Sequence, residues 1–230
     1  MADKKMEKYT KKSNELSRDF VLRVLKEKIV NMDMEPGSII SESEISKELG
    51  VSRTPVREAL IELSRSKLVE IYPQRGSYIS KIDYSIIEDV RYLRYIVETA
   101  IIELVCERRS EEDIQKLEEF VQLQEFYMKR DQPEVTFNYD NLFHSMFYTI
   151  VGKQMLESIV DNMNIHFDRV RKLSFQTQKD TNIIKDHLEL IQAIKDQDKV
   201  KAKEILTGHL LRYKVDEAMI KKKYVDWIKA

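Results

Sequence analysis

The segment GVSRTPVREAL, residues 50–60, constrains the fold of this chain more than any other stretch. Gly50 favours a tight turn, and Ser52 is a residue type that commonly begins a helix. Arg53 and Arg57 lie four residues apart, so both side chains leave the same side of that helix. An apolar stripe would anchor the opposite side in a small core; its members are Val51, Val56, Leu60 and Leu63. Arginines and short hydroxyl side chains in a first turn suit the major groove of DNA, so we predict a recognition helix.

The sequence around this helix predicts a complete winged helix-turn-helix. Apolar residues recur at helical spacing over 14–32, a Glu-Pro-Gly-Ser turn follows at 35–38, and a short helix is expected over 42–49. After the recognition helix, alternating runs at 68–72 and 76–80 predict a β-hairpin, which would form the wing.

The tip of the predicted wing carries Arg75 and Gly76. A glycine lets the backbone approach DNA closely, and an arginine can enter a minor groove or pair with a phosphate. The alternative interpretation of the basic side chains is that Arg53 and Arg57 only solvate an exposed helix face.

Length and charge predict two domains with different partners. The chain has 230 residues, and we expect a disordered basic arm over 1–12, the DNA-binding domain over 13–82 and a second domain over 83–230. Residues 1–82 hold 16 Lys+Arg and 13 Asp+Glu, a net charge of +3, whereas the remainder holds 23 and 27, a net charge of −4. No apolar run approaches the ~18 residues of a membrane span and no signal peptide is present, so we expect a cytoplasmic protein without a membrane partner.

Residues 83–230 predict an all-α bundle of about six helices. The expected helices cover 85–108, 110–130, 133–151, 153–173, 181–195 and 199–223. The predicted fold class is therefore mostly α, a winged helix-turn-helix of three helices and a β-hairpin followed by a helical bundle. Such a bundle has room for an internal pocket between its helices.

Four potential metal ligands lie on three of these helices. Asp140 and His144 are four residues apart and leave one face of the third helix, while His187 and His209 lie on the fifth and sixth. Apolar neighbours surround all four, so they predict one divalent transition metal, with Zn, Ni and Mn as candidates. The alternative is that the histidines are ordinary structural residues, which is our interpretation of the fourth histidine, His166.

Residues 36–80, PGSIISESEISKELGVSRTPVREALIELSRSKLVEIYPQRGSYIS, resemble without a gap the DNA-binding domain of the GntR family of bacterial transcription regulators. The resemblance implies DNA contacts by Arg53, Thr54, Arg57, Arg75 and Gly76; Ser52 joins this set as a hydroxyl residue of the same turn. It also implies a homodimer on a near-palindromic, double-stranded operator. Many members carry an arginine near the start of the second helix, where this chain has Ser43.

The second domain resembles the FCD effector-binding domain of the FadR-like branch of that family. The motif D-x3-H, then H-x3-I-x-A-I, then a later histidine is matched by Asp140, His144, His187 and His209. The family motif R-x3-E is matched by Arg94 and Glu98, and an arginine on the fourth helix of the domain often faces the pocket. The resemblance therefore implies that Arg94 and Arg171 bind the effector, with Arg169 as second choice for the latter.

These inferences predict a DNA-binding repressor whose operator affinity is controlled by a small carboxylate or sugar acid at the metal, with residues 81–84 as the coupling hinge. Open coordination positions would accept the acid, and an arginine would pair with its second anionic group. Three alternatives stay open: the ion itself is the signal, a larger acyl ligand binds without metal, or the centre is catalytic. Catalysis is disfavoured because four protein ligands occupy most coordination positions and no separate general base is evident.

Overall fold

The computed structural model describes residues 9–177, 182–211 and 214–229. Spatial proximity divides them into two compact units, the first formed by 9–83 with 224–229 and the second by 84–223. Within the described residues, no helix combines a membrane-spanning length with sufficient hydropathy.

The first unit is a winged helix-turn-helix, as predicted. Its elements are α1 (Ser17–Val30), β1 (Ile39–Ile40), α2 (Glu42–Leu49), α3 (Arg53–Arg65), β2 (Val69–Tyr72) and β3 (Gly76–Ile79). The strands form an antiparallel sheet in the order β1-β3-β2, with Tyr72 opposite Gly76 at the end of the hairpin. Strand β1 was not predicted, because two isoleucines after a turn give too short a pattern to recognise.

The turn between α2 and α3 has the conformation that its glycine favours. Ser41 Oγ accepts a hydrogen bond from the Glu44 amide (3.3 Å) and so caps α2. Gly50 ends that helix at φ +64°, in the left-handed region. The Ser46 hydroxyl then donates to the Val51 carbonyl (2.6 Å), which ties the start of α3 to α2. These local bonds fix the direction in which the recognition helix leaves the turn.

Residues 9–12 of the arm, which was expected to be disordered over 1–12, have defined contacts. Residues 1–8 lie outside the described residues. Arg23 of α1 donates to the Thr10 carbonyl (3.1 Å), and the Lys12 amide donates to Glu15, which precedes that helix (2.9 Å). The basic composition of this stretch did not reveal that Arg23 and Glu15 would hold its end.

The second unit is the predicted helical bundle. Its described helices are α4 (Tyr84–Arg108), α5 (Glu111–Lys129), α6 (Pro133–Val151), α7 (Gln154–Thr177), α8 (Asn182–Lys195), α9 (Lys199–Leu211) and α10 (Lys214–Lys223). The segment 199–223, predicted as one helix, is helical over 199–211 and 214–223, and residues 212–213 lie outside the described part of the chain. Buried apolar side chains from α4, α5, α6, α8 and α9 form the core of this unit.

The segment 224–229 belongs to the first unit, although the sequence analysis placed it in the second domain. The Ile82 amide donates to the Trp227 carbonyl (2.8 Å), and the Lys229 amide donates to the Ile82 carbonyl (2.9 Å). Lys229 also pairs with Asp83 (2.7 Å). The contacts of this short segment could not be predicted from the sequence, because they are with residues about 146 positions earlier.

We expect deletion of residues 224–230 to destabilise the first unit by about 1–3 kcal/mol, since two backbone hydrogen bonds of the buried Ile82 are lost. The check is native-state hydrogen exchange at the Ile82 amide, which should become fast in the deletion variant. Lys229→Ala, which removes only an exposed ion pair, is the control and should leave that amide protected. Equal protection in the deletion variant would contradict a structural role for the segment.

Candidate nucleic-acid interface and metal centre

The first turns of α3 present one polar face. Ser52, Arg53, Thr54 and Arg57 are exposed, whereas Val56, Ala59, Leu60 and Leu63 are buried. Ser52 occupies the N-cap position, yet its side chain makes no capping hydrogen bond to the helix. The buried face anchors the helix in the core of the first unit, so the hydroxyl and guanidinium groups of the other face are available to a partner.

Arg57 forms an ion pair that sequence reasoning missed. Its Nη2 donates to Glu42 Oε2 (2.9 Å) and its Nε donates to Glu42 Oε1 (3.3 Å). This hydrogen bonding raises the pKa of the Arg57 guanidinium. Ser43, which stands where many GntR regulators have an arginine, shares a hydrogen bond with Ser41 (3.0 Å). The pair joins residues 15 positions apart, so only the geometry of the turn could have revealed it.

The wing tip is held by aromatic contacts. Gly76 has φ +99°, a conformation that side chains rarely adopt. The Arg75 guanidinium lies 5.9 Å from the centre of the Tyr72 ring, and Tyr78 packs edge-on against the same ring at 5.7 Å. The Tyr78 hydroxyl donates to the Arg75 carbonyl (3.2 Å). Arg75 and Gly76 are both exposed at this tip, where the hairpin pattern placed them.

The structure brings the three predicted histidine ligands together in the second unit and places the fourth, Asp140, beside His187. Helix α6 supplies Asp140 and His144, α8 supplies His187 and α9 supplies His209. One ring nitrogen of each histidine lies within 4.8 Å of those of the other two. The Nε2 atoms of His144 and His209 are 3.2 Å apart, and Asp140 Oδ1 is 3.7 Å from His187 Nε2. We call this group the three-histidine centre.

Each histidine ring is oriented by an acceptor at its Nδ1. The pairs are His144 with Glu98 (3.1 Å), His187 with Gln124 (3.0 Å) and His209 with Asp186 (3.3 Å). Carboxylates only accept, and Gln124 uses its NH2 group on Asp140 (2.8 Å), which leaves its carbonyl oxygen for His187. All three Nδ1 atoms therefore donate, and a ring in its neutral form keeps the lone pair of its Nε2 atom.

These lone pairs fit a bound cation. Two acceptor nitrogens 3.2 Å apart repel each other unless a cation lies between them. His187 Nε2 is buried and has no hydrogen-bond partner among the described residues. Metal–nitrogen bonds of ~2.1 Å place neighbouring ligands about 3 Å apart, so the spacing suits a metal. Three imidazoles with one carboxylate suit Zn, Ni or Mn.

Burial and charge give these groups the protonation states that metal ligation requires. Burial lowers the pKa of His144, and it lowers that of His187 well below the usual value. Burial alone would raise the pKa of Asp140, but Arg171 and the neighbouring histidines lower it well below its ordinary range. Neutral imidazoles and an ionised carboxylate are the ligating forms.

Arg94 is connected to the predicted ligand His144 through one residue, Glu98. Its Nε donates to Glu98 Oε1 (2.6 Å), and the other oxygen of Glu98 accepts from His144. Burial would raise the pKa of Glu98, but Arg94 and His144 lower it strongly, so this carboxylate stays ionised. Glu98 therefore links the predicted effector arginine to the three-histidine centre.

Arg171 contacts the centre directly. Its Nη2 donates to Asp140 and its Nη1 donates to Asp168 (2.7 Å). The guanidinium also lies over the Phe137 ring, 4.7 Å from its centre. Arg169, the second choice, is 1% exposed, and burial lowers its pKa to about 10. Of the two arginines, Arg171 is the one that the structure pairs with Asp140.

Two orienting residues escaped sequence reasoning. Gln124 is fully buried on α5, where it interrupts an apolar stripe that includes Val121 and Met128, and that interruption was a usable signal. Asp186 precedes His187 directly but bonds to His209, so neighbouring position in the sequence gave no hint of its partner.

Comparison with known proteins agrees with both halves of the chain. The model of the gntR family of bacterial regulatory proteins matches residues 18–79, and the FCD domain model matches residues 89–212. The HTH-type transcriptional repressor RspR of Escherichia coli (strain K12) is 30% identical over 208 residues, which cover 90% of this chain and 91% of that protein. The gluconate operon transcriptional repressor of Bacillus subtilis (strain 168) is 28% identical over 182 residues, covering 76% of this chain and 74% of the repressor.

A solved structure shares the fold. E. coli McbR/YncC matches with a TM-score of 0.77 and 19% identity, over 91% of this chain and 99% of that one. Both matched models and the named relatives are those of transcription regulators, so the catalytic alternative is set aside. The chain belongs to the GntR family of bacterial regulatory proteins, as a DNA-binding transcription regulator with a C-terminal FCD domain.

Proposed function

We propose that this regulator is a cytoplasmic repressor whose operator affinity is controlled by a small carboxylate or sugar acid, bound at a metal in the three-histidine centre. The observation that carries the proposal is the convergence of three histidine rings, with Asp140 beside His187 and with Arg171 paired to Asp140. One relative is named as the repressor of a gluconate operon, and gluconate is a sugar acid.

DNA binding rests on α3 and the wing. Arg53, Thr54 and Arg57 would meet base edges and phosphates in the major groove, while Arg75 at the wing would reach the minor groove or the backbone. The net charge of residues 1–82 is only +3, so a single copy makes few phosphate contacts. Two copies on a near-palindromic operator would double these contacts.

Exposed apolar side chains on α4 and α7 support a homodimer. These helices pack against each other within the second unit. The exposed residues are Tyr92, Tyr95 and Ile96 on α4, and Met155, Leu156, Ile159 and Met163 on α7. Apolar patches of this kind mark protein–protein interfaces, and a two-fold axis would bury the same face on both copies.

At the centre, Asp140 and the three histidines would hold the metal, which supplies a Lewis acid for a carboxylate of the effector. Arg171 already pairs with Asp140, so an anionic effector would compete with Asp140 for this guanidinium. Arg94 is held in place by Glu98 and offers a second cationic group. These two cationic groups therefore favour an acid with two anionic or polar ends.

Two stretches of chain lead from the centre towards the predicted hinge at 81–84. Helix α4, which carries Arg94 and Glu98, begins at Tyr84. Helix α9, which carries His209, is followed by α10 and then by the segment 224–229, which bonds to Ile82. If the hinge has two arrangements that differ in operator affinity, an acid shifts the equilibrium between them only when its own affinity for the two differs.

Arg57→Ala should lower operator affinity by tenfold or more, since a bidentate base contact contributes about 1–3 kcal/mol. The operator is first selected from a randomised duplex library with the wild-type chain, and affinities are then measured by fluorescence anisotropy. Arg65→Ala removes the same charge from the far end of α3 and should change affinity little. Equal affinities of the two variants would show that Arg57 makes no base contact.

His187→Ala should abolish both metal retention and acid binding. Elemental analysis of the purified wild-type chain should find one divalent transition metal per chain, and calorimetry with a panel of small carboxylates that includes gluconate should find a binder. His166→Ala is the control and should keep its metal. If His187→Ala binds the same acid equally well, the metal has no role in recognition; operator release by metal alone would instead favour the ion as the signal.

Ile159→Glu should weaken self-association at least tenfold, because the dimer would bury this apolar face and leave the new carboxylate unpaired in the interface. Sedimentation equilibrium measures the dimer dissociation constant. Val200→Glu introduces the same charge at an apolar residue on α9 that is 78% exposed, and it should leave that constant unchanged. An unaltered dimer in Ile159→Glu would exclude this face as the interface.

A further inference from the structure

We propose that Glu42 is a positioning residue for base readout: it holds the Arg57 guanidinium so that one defined edge of this group faces the DNA, and it thereby raises the ratio of specific to non-specific binding. The inference rests on the predicted base contact of Arg57. It adds to the DNA interface a residue from α2 that itself touches no base.

The geometry of the pair determines which donors remain. A guanidinium has five N–H groups, and Glu42 occupies one on Nε and one on Nη2. Both N–H groups of Nη1 and the second one of Nη2 stay free of this carboxylate. The outer Nη1 and Nη2 donors form a fork that matches the O6 and N7 acceptors of guanine. The Glu42 contact therefore leaves a bidentate edge available.

The pair has little reason to exist for stability alone. The Arg57 side chain is 66% exposed and that of Glu42 is 30% exposed. Ion pairs at such sites contribute little to folding. What the pair does is restrict a long side chain to one arrangement before DNA arrives, so less conformational entropy is lost when the base contact forms.

The carboxylate itself has a well-defined position. Glu42 is the first residue of α2, directly after the cap Ser41, and a negative charge is favoured at a helix N-terminus. The bond between Ser46 and Val51 fixes α2 relative to the start of α3. The Glu42 carboxylate therefore has a fixed position relative to the start of α3, and it can hold the Arg57 guanidinium there.

A negative charge beside the recognition helix also repels phosphates. Non-specific binding depends almost wholly on phosphate attraction, whereas specific binding adds base contacts. Glu42 should accordingly weaken binding to any duplex while it favours the correct base for Arg57. The repulsion acts on both kinds of DNA alike and cancels in the specificity ratio, so only the positioning of Arg57 changes that ratio. Removal of the carboxylate should therefore raise affinity for non-specific DNA and lower the ratio.

The test uses the full chain and two duplexes: the operator selected from a library randomised over two helical turns, and a scrambled duplex of equal composition. For Glu42→Ala we expect affinity for the scrambled duplex to rise and the specificity ratio to fall about tenfold, the size of one weakened base contact. A repeated selection with this variant should show relaxed preference at one position per half-site. Glu44→Gln removes a charge from the same turn without an Arg57 contact and should shift both affinities in parallel.

A cycle with Arg57→Ala separates positioning from a direct effect. In that background Glu42→Ala should leave the specificity ratio unchanged. The proposal is overturned if Glu42→Ala keeps the wild-type ratio, if Glu44→Gln lowers it equally, or if the loss persists without Arg57. Glu42→Gln, which retains a hydrogen-bond acceptor, should restore part of the ratio and serves as the main variant if Glu42→Ala unfolds. If Arg57→Ala alone keeps wild-type operator affinity, Arg57 makes no base contact, and the result contradicts the DNA contact proposed for Arg57. The outcomes named before it contradict the role of Glu42 instead.

Discussion

The second unit depends on how it satisfies polar side chains that it buries. Uncompensated polar groups in a core are costly, and a buried charge more so. Here Glu98, Gln124 and Asp186 each orient one imidazole, and Arg171 compensates Asp140. The arrangement leaves His187 Nε2 without a hydrogen-bond partner among the described residues and places the Nε2 atoms of His144 and His209 3.2 Å apart. A bound cation would stabilise these nitrogen atoms. Six helices, α4 to α9, are thereby tied to one small centre.

In the first unit, by contrast, individual hydrogen bonds and ring contacts order side chains that are exposed. The turn at Gly50 sets the direction of α3, and the Glu42 carboxylate sets the arrangement of Arg57. Contacts at the wing do the same for Arg75 through Tyr72 and Tyr78. Neither contact adds much stability, and both order an arginine for which we propose a contact with DNA.

The sequence was informative wherever a residue's neighbours along the chain decide its structure. Helix starts at Ser41 and Ser110, the glycine turn and the i,i+4 pair of Asp140 and His144 are local patterns, and the helices appear close to their predicted bounds. Partners distant in sequence were not accessible in this way. The Glu42–Arg57 pair, the Asp186–His209 bond and strand β1 depend on the tertiary path of the chain, which no periodicity encodes.

The segment 224–229 makes the DNA-binding unit discontinuous in sequence. The chain leaves this unit after Asp83 and re-enters it at Tyr224, so the FCD domain is an insertion within it rather than an appendage. A single recombination breakpoint after the wing would transfer a recognition module that lacks its last segment. Transfer of the whole DNA-binding unit of this chain therefore needs two breakpoints, and a chimaera built at residue 83 alone lacks the segment 224–229.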